Sequence, residues 1–117
     1  MLSFAGSLRV FVAVEPCDLR KSFDGLYALA SEHLGEDPRS GAIFVFCNRR
    51  RNRLKILYFD GSGLWVMAKR LEEGTFSWPS PSKTGQVKLK LAPEAFAMLT
   101  DGIDMRDGCR RGWYEDD

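Results

Sequence analysis

The chain is short of almost everything that marks a catalyst or a metal protein. It has one histidine, His33, and three cysteines, Cys17, Cys47 and Cys109, set far apart. An odd, scattered set of thiols builds no disulfide framework and points to a reducing compartment, so the expected location is cytoplasmic. A zinc ribbon needs ligands in close pairs, and these residues supply none. There is no P-loop, no dinucleotide glycine pattern and no serine nucleophile elbow, and Gly61-Ser62-Gly63 reads only as a turn. No cofactor is expected. No apolar run approaches the roughly 18–20 residues that cross a bilayer, so no membrane contact is expected either. Met1 to Val14 is apolar, but Arg9 interrupts it and no basic start or cleavage signal frames it; it reads as strand rather than signal peptide.

What is present suffices for a core. Of 117 residues, 44% are hydrophobic, including eight Phe, three Trp and three Tyr. A chain of this size forms one domain and buries roughly two-thirds of its unfolded surface. The expected organisation is a single α+β domain over residues 1–104 with a charged C-terminal tail over 105–117.

The net charge of +1 hides a segregation. Residues 1–38 carry three Arg or Lys against six Asp or Glu, residues 39–90 carry eleven against three, and residues 91–117 carry three against seven. A middle segment at +8 between two acidic flanks describes a patch, and patches say more about partners than totals do.

Leu8 to Val14 is rich in β-branched and aromatic residues and reads as a strand ended by Pro16. Asp18 stands where a helix N-cap belongs, and Phe23, Leu26, Tyr27, Ala30 and Leu34 then fall on one helical face, stopping at Gly35 and Pro38. Gly25 inside that helix disfavours it by about 1 kcal/mol against Ala and suggests close packing. Ile43–Phe46, Leu54–Phe59 and Leu64–Ala68 read as three strands of an antiparallel meander, the last two joined by Asp60-Gly61-Ser62-Gly63. Gly74–Pro79 is a candidate further piece of strand. Val87–Leu91 alternates as a strand with one wet, basic face, and Pro93 opens a short helix. The fold class expected is α+β: a mainly antiparallel sheet with a longer N-terminal helix and a short C-terminal one.

The feature with most chemical content is Arg49-Arg50-Arg51-Asn52-Arg53-Leu54-Lys55, five cations in seven residues. Guanidinium groups match phosphate oxygens bidentately, and crowding five cations on a loop is unfavourable unless an anion is near. Lys69, Arg70, Lys88 and Lys90 lie on neighbouring strands of the expected sheet and widen the candidate nucleic-acid-binding set. The alternative is a solvated turn whose cations face Glu72, Glu73 or the acidic ends. Tyr58, Phe59, Trp65, Phe76 and Trp78 are candidate stacking platforms, although strand aromatics are usually core; Trp65 and Trp78 are the two most expected at the surface. Asp18, Asp24 and Asp60 are explained by a cap, a helix surface and a turn, and form no magnesium site. His33 has no acidic or thiol partner in sequence. Cys17 and Cys47 read as small core or edge residues, and Cys109 beside Arg110 and Arg111 as a more reactive thiol. No catalytic residue is expected.

Asp18-Leu19-Arg20-Lys21-Ser22-Phe23-Asp24-Gly25-Leu26 and Phe44 through Tyr58 closely resemble the TnpB-type accessory protein of the IS-sixty-six insertion-sequence family. Lys69-Arg70-Leu71-Glu72, Phe76-Ser77-Trp78-Pro79 and Gly102-Ile103-Asp104 follow in the same order, so the resemblance spans roughly residues 1–113. Cys47 and Phe59 depart from the family pattern, which has a polar residue and commonly a tryptophan there. The resemblance implies a non-enzymatic accessory role in transposition of a bacterial mobile element, with strand transfer left to a separate transposase. The expected partners are therefore DNA, at element ends or target, and the element-encoded transposase. An adaptor that docks on the transposase without touching DNA is the alternative reading.

Overall fold

The computed structural model describes residues 8–80, 85–101, 103–104 and 109–110. Five strands form one sheet: β1 (Val10–Ala13), β2 (Ile43–Cys47), β3 (Arg53–Phe59), β4 (Leu64–Arg70) and β5 (Lys88–Leu91), in the spatial order β4-β3-β2-β1-β5. The helix α1 (Phe23–Ala28) links β1 to β2 and runs on into a π-helical turn, Leu29–His33; a second helix, α2 (Pro93–Asp101), follows β5. Two short strands, β6 (Ile103–Asp104) and β7 (Cys109–Arg110), pair antiparallel beyond it. The expectation of a charged tail over 105–117 otherwise lies outside the described residues.

The sheet is covered on both faces, which is why its inner strands are continuous apolar runs. All of β1 and β2 is buried. Phe11, Ala13, Phe44, Phe46 and Leu57 pack on one face with Leu26, Ala30 and Leu34 of the helical segment. Val10, Val12, Ile43, Val45, Cys47, Leu54, Ile56 and Tyr58 pack on the other with Leu71, Phe76 and Trp78 from the segment after β4 and Leu99 from α2. Phe44 and Phe46 are wholly buried, and truncating either to Ala would cost about 3–5 kcal/mol.

The α+β class and the β2-β3-β4 meander are as expected; three details differ. First, β1 and β2 run parallel, with Val10 opposite Ile43 and Val12 opposite Val45, because the helical segment crosses over one face between them. Second, α1 begins at Phe23 with Ser22 before it, and Asp18 does not cap it. The Asp18 carboxylate instead accepts the Arg20 backbone N–H at 3.0 Å, closing a local turn. The α-helical part holds six residues, fewer than the nine of α2, because the ladder slips: the Leu34 N–H reaches back to the Leu29 carbonyl at 3.0 Å. Third, residues 74–79 add no strand to the sheet, only a single bridge residue at Thr75. Residues 71–79 form a strap whose Phe76 N–H donates to the Arg51 carbonyl at 2.7 Å.

Candidate nucleic-acid interface

The arginine-rich segment joining β2 to β3 is a built turn organised by Asn48. The Asn48 side-chain oxygen accepts the backbone N–H groups of Asn52 and Arg53, both at 3.1 Å, and its amide donates to the Asn52 side-chain oxygen at 2.8 Å. The Arg51 N–H closes on the Asn48 carbonyl at 3.1 Å, and Arg51 itself sits in the left-handed region at φ 60. From the far side the strap seals the turn, with the Leu71 N–H donating to the Asn52 carbonyl at 2.9 Å. The cations are therefore presented on a fixed backbone. Asn48 and Asn52 are the site residues the charge count misses; an Asn opening a hairpin loop is a turn-former by its own chemistry and was the available signal.

A groove of about 720 Å³ opens beside this turn, on the helix-bearing face of the sheet. Asp18, Leu19 and Arg20 wall one side; Asn48, Arg50 and Asn52 wall another; Arg53, Leu54, Lys55, Ala68, Lys69, Arg70 and Glu72 come from β3, β4 and its exit. Arg20, Arg50, Arg53, Lys55 and Arg70 against Asp18 and Glu72 make the groove electropositive. Its wall is fixed by Lys55, whose ammonium donates to the Lys21 carbonyl at 2.8 Å. Gly25 allows that segment to lie close: a Cβ at Gly25 would stand 2.8 Å from the Lys21 Cβ.

The nine candidate cations do not all gather here. Arg49, Arg50, Arg51, Arg53 and Lys55 share the turn and the start of β3, and Arg70 stands directly opposite Arg53 in the ladder. Among the described residues, the side chains of Arg49, Arg50 and Arg53 have no hydrogen-bond or ion-pair partner. Arg70 has only Glu72, at 4.0 Å and exposed. Arg51 reaches the Trp78 carbonyl at 3.4 Å. Lys69 turns to the other face and holds the Thr100 carbonyl at the end of α2, at 2.8 Å. Lys88 and Lys90 lie on β5, at the opposite edge of the sheet, so the expected widening of the patch toward them does not occur. Lys88 is also committed, to the Glu36 carboxylate and to the Leu34 carbonyl at 2.7 Å.

Among the described residues no aromatic ring lines the groove. Tyr58, Phe76 and Trp78 are core, and Trp78, expected at the surface, is only 9% exposed with its indole N–H on the Ala13 carbonyl at 2.9 Å. Phe59 lies under the Arg39 guanidinium. Trp65 is 41% exposed, but its indole donates to Asp60 at 2.8 Å beside the β3–β4 turn, the far end of the strands from Arg53.

The acids are local devices. Asp18 is held well below the usual carboxylate range by its hydrogen bonds from the Arg20 guanidinium and then from the Arg20 N–H. Asp60 is lowered likewise, first by the Trp65 N–H and then by the N–H groups of Ser62 and Gly63. Among the described residues no three His, Cys, Asp or Glu side chains gather as metal ligands. His33 gains a partner that its sequence neighbourhood hides, since Glu15 from the β1–α1 connection lies 3.6 Å from its Nε2. Burial pushes the Cys47 thiol up to about 12 and that of Cys17 to about 11. The Cys109 side chain lies outside the described residues.

The basic turn and the groove beside it form a concave, cationic surface at one end of a small α+β sheet. The chain belongs to the family described as IS66 Orf2 like protein, whose model matches residues 8–110, and it is thus an insertion-sequence accessory protein. It is 42% identical over 104 residues to the uncharacterized protein y4jC of Sinorhizobium fredii, covering 89% of this chain and 86% of that one. It is 35% identical over 106 residues to the uncharacterized protein y4hO of the same organism, covering 91% and 90%. No solved structure matches.

Proposed function

We propose that the protein is a non-enzymatic accessory factor of transposition that binds DNA through the basic turn and the groove beside it. The observation that carries this reading is the set of guanidinium groups, Arg49, Arg50 and Arg53, held on one turn with no ion-pair or side-chain hydrogen-bond partner among the described residues. Like charges fixed together without partners are unfavourable unless an anion completes them, and the DNA backbone is the dense polyanion of an insertion element. Arg70 joins them, whereas Lys55, Lys69 and Lys88 are committed to carbonyls or to Glu36. The available grip is therefore about four guanidiniums, and the salt dependence of binding to duplex DNA should have a slope near −3.6 in log–log form.

Salt-titrated fluorescence anisotropy on labelled duplex and single strands tests the reading. The expected result is duplex binding at low salt whose slope drops when Arg49, Arg50 and Arg53 are changed to Ala. Absence of binding at low salt, or a slope indifferent to those changes, refutes it. The adaptor reading keeps one observation in its favour, the exposed face of α1 with Phe23 46% exposed, and it predicts co-purification with the transposase that survives nuclease treatment.

A further inference from the structure

We propose that Arg53 and Arg70 act together as a clip for a single phosphate in the groove, and that Asp18 is a built-in competitor that holds Arg20 away from it. The proposed DNA-binding reading supplies the ligand's identity, a backbone phosphodiester of duplex DNA. The clip itself is testable without DNA.

Arg53 and Arg70 are register partners of β3 and β4, so their side chains leave the same face of the sheet from Cβ atoms about 5 Å apart. That face is the one bearing the groove, since Leu57 and Val66, an even number of positions along, pack with α1. Two permanently charged groups in that relation repel one another. A shared tetrahedral anion converts the repulsion into two charge-assisted, bidentate contacts. Neither arginine is otherwise satisfied: Arg53 has no described partner, and Arg70 has only the marginal, exposed contact with Glu72.

The rest of the groove selects for phosphate over base. Leu19, Leu54 and Ala68 are its apolar residues, and no ring stands among its described lining residues. A site lined by guanidiniums with no ring among its described lining residues grips backbone and does not prefer single strands. Asp18 is the acid on the wall beside Arg20. It holds that guanidinium by hydrogen bonds of 2.8 to 3.1 Å while also accepting the Arg20 backbone N–H. An Asn there keeps the turn acceptor, removes the negative charge and releases Arg20 as a further phosphate donor.

The test compares wild type with Arg53→Gln, Arg70→Gln, the double variant and Asp18→Asn, each checked for native far-UV circular dichroism. Thermal midpoints are read in sodium phosphate and in sodium chloride at equal ionic strength. Phosphate should raise the midpoint of the wild type and of Asp18→Asn, and should fail to do so in either single glutamine variant. In low-salt chloride Arg70→Gln should melt no lower than wild type, because the cross-strand repulsion is gone. A phosphate effect that persists in the double variant, or that needs only one of the arginines, overturns the clip. In the DNA arm, two arginines on one phosphate count once, so the double variant should lose about 1 from the magnitude of the salt slope, and Asp18→Asn should bind more tightly. Tighter binding to single strands than to duplex overturns duplex backbone as the ligand. Failure of every form to bind DNA sinks the proposed function, while a phosphate effect lost in the glutamine variants would still uphold the clip as a phosphate site.

Discussion

Asn48→Ala probes whether the basic turn is rigid because of one side chain. The substitution removes three hydrogen bonds at once, the two backbone N–H groups of Asn52 and Arg53 at 3.1 Å and the side-chain oxygen of Asn52 at 2.8 Å. Each is worth roughly 0.5–1.5 kcal/mol net, and the site is only part-buried, so water recovers some of the loss. The expected destabilisation is about 1.5–3 kcal/mol. With about 4 °C per kcal/mol for a domain slightly above 100 residues, the thermal midpoint should fall by roughly 6–12 °C. A stability of about 5–15 kcal/mol leaves the variant folded at room temperature. Its affinity for duplex DNA should then fall several-fold at unchanged salt slope, because the cations remain and only their placement is lost. Asn48→Asp keeps the acceptor but sets an anionic oxygen against Asn52, and should fall between the two. Circular dichroism melts paired with anisotropy provide the measurement. A midpoint within about 2 °C of wild type with full affinity would refute the claim that Asn48 organises the turn, leaving the strap bonds at Arg51 and Asn52 as sufficient.

Other substitutions bear on the same construction. Arg51→Gly should leave the urea midpoint unchanged or higher, since φ 60 disfavours a residue with a Cβ by about 1 kcal/mol or more; a loss larger than that would show the 3.4 Å contact with Trp78 to be the stronger effect. Asp60, whose folded carboxyl is lowered, contributes stability that is present above the unfolded value near about pH 4 and is lost as pH falls through the folded value. Asp60→Asn should therefore flatten the stability profile below about pH 4, and an unaltered acid profile would contradict the hydrogen-bond assignment. Cys47, buried and with its thiol raised to about 12, should resist a thiol reagent at neutral pH until urea unfolds the chain; labelling at the rate of an exposed thiol would place it wrongly.

Much of the fold was legible because the residues leave little choice. Ile43-Phe44-Val45-Phe46 has no polar face, so it had to be a strand covered on both sides, and Asp60-Gly61-Ser62-Gly63 is turn chemistry. The parallel pairing of β1 with β2 was not legible, since the same apolar run pairs either way and only the path of the crossover decides. Nor was the separation of Lys88 from the patch. Strand order is a tertiary outcome, and β5 pairs with β1 because the chain returns to the far edge after the strap. Trp78 was expected at the surface, yet its indole finds the Ala13 carbonyl within the core. The opposition of Arg53 and Arg70 was within reach: once the turn sets Phe59 opposite Leu64, counting six positions back along each strand brings the two arginines together.

That single parallel pair is also what creates the groove. In an antiparallel ladder the β2–β3 turn and the exit of β4 necessarily lie at one end of the sheet, which assembles Arg49 to Arg53 with Arg70. Had β1 joined the meander antiparallel to β2, its own exit would lie at the opposite end, near Asp60 and Trp65. Because it runs parallel, the Cys17 N–H meets the Cys47 carbonyl at 2.8 Å, and Asp18 and Arg20 come down beside the basic turn as a wall. The helical crossover then holds that wall through Lys21 and Lys55. The basic segment alone would have made an exposed loop on an edge hairpin. The crossover turns it into a concave surface, with Asp18 and Arg20 standing on its wall beside the guanidiniums.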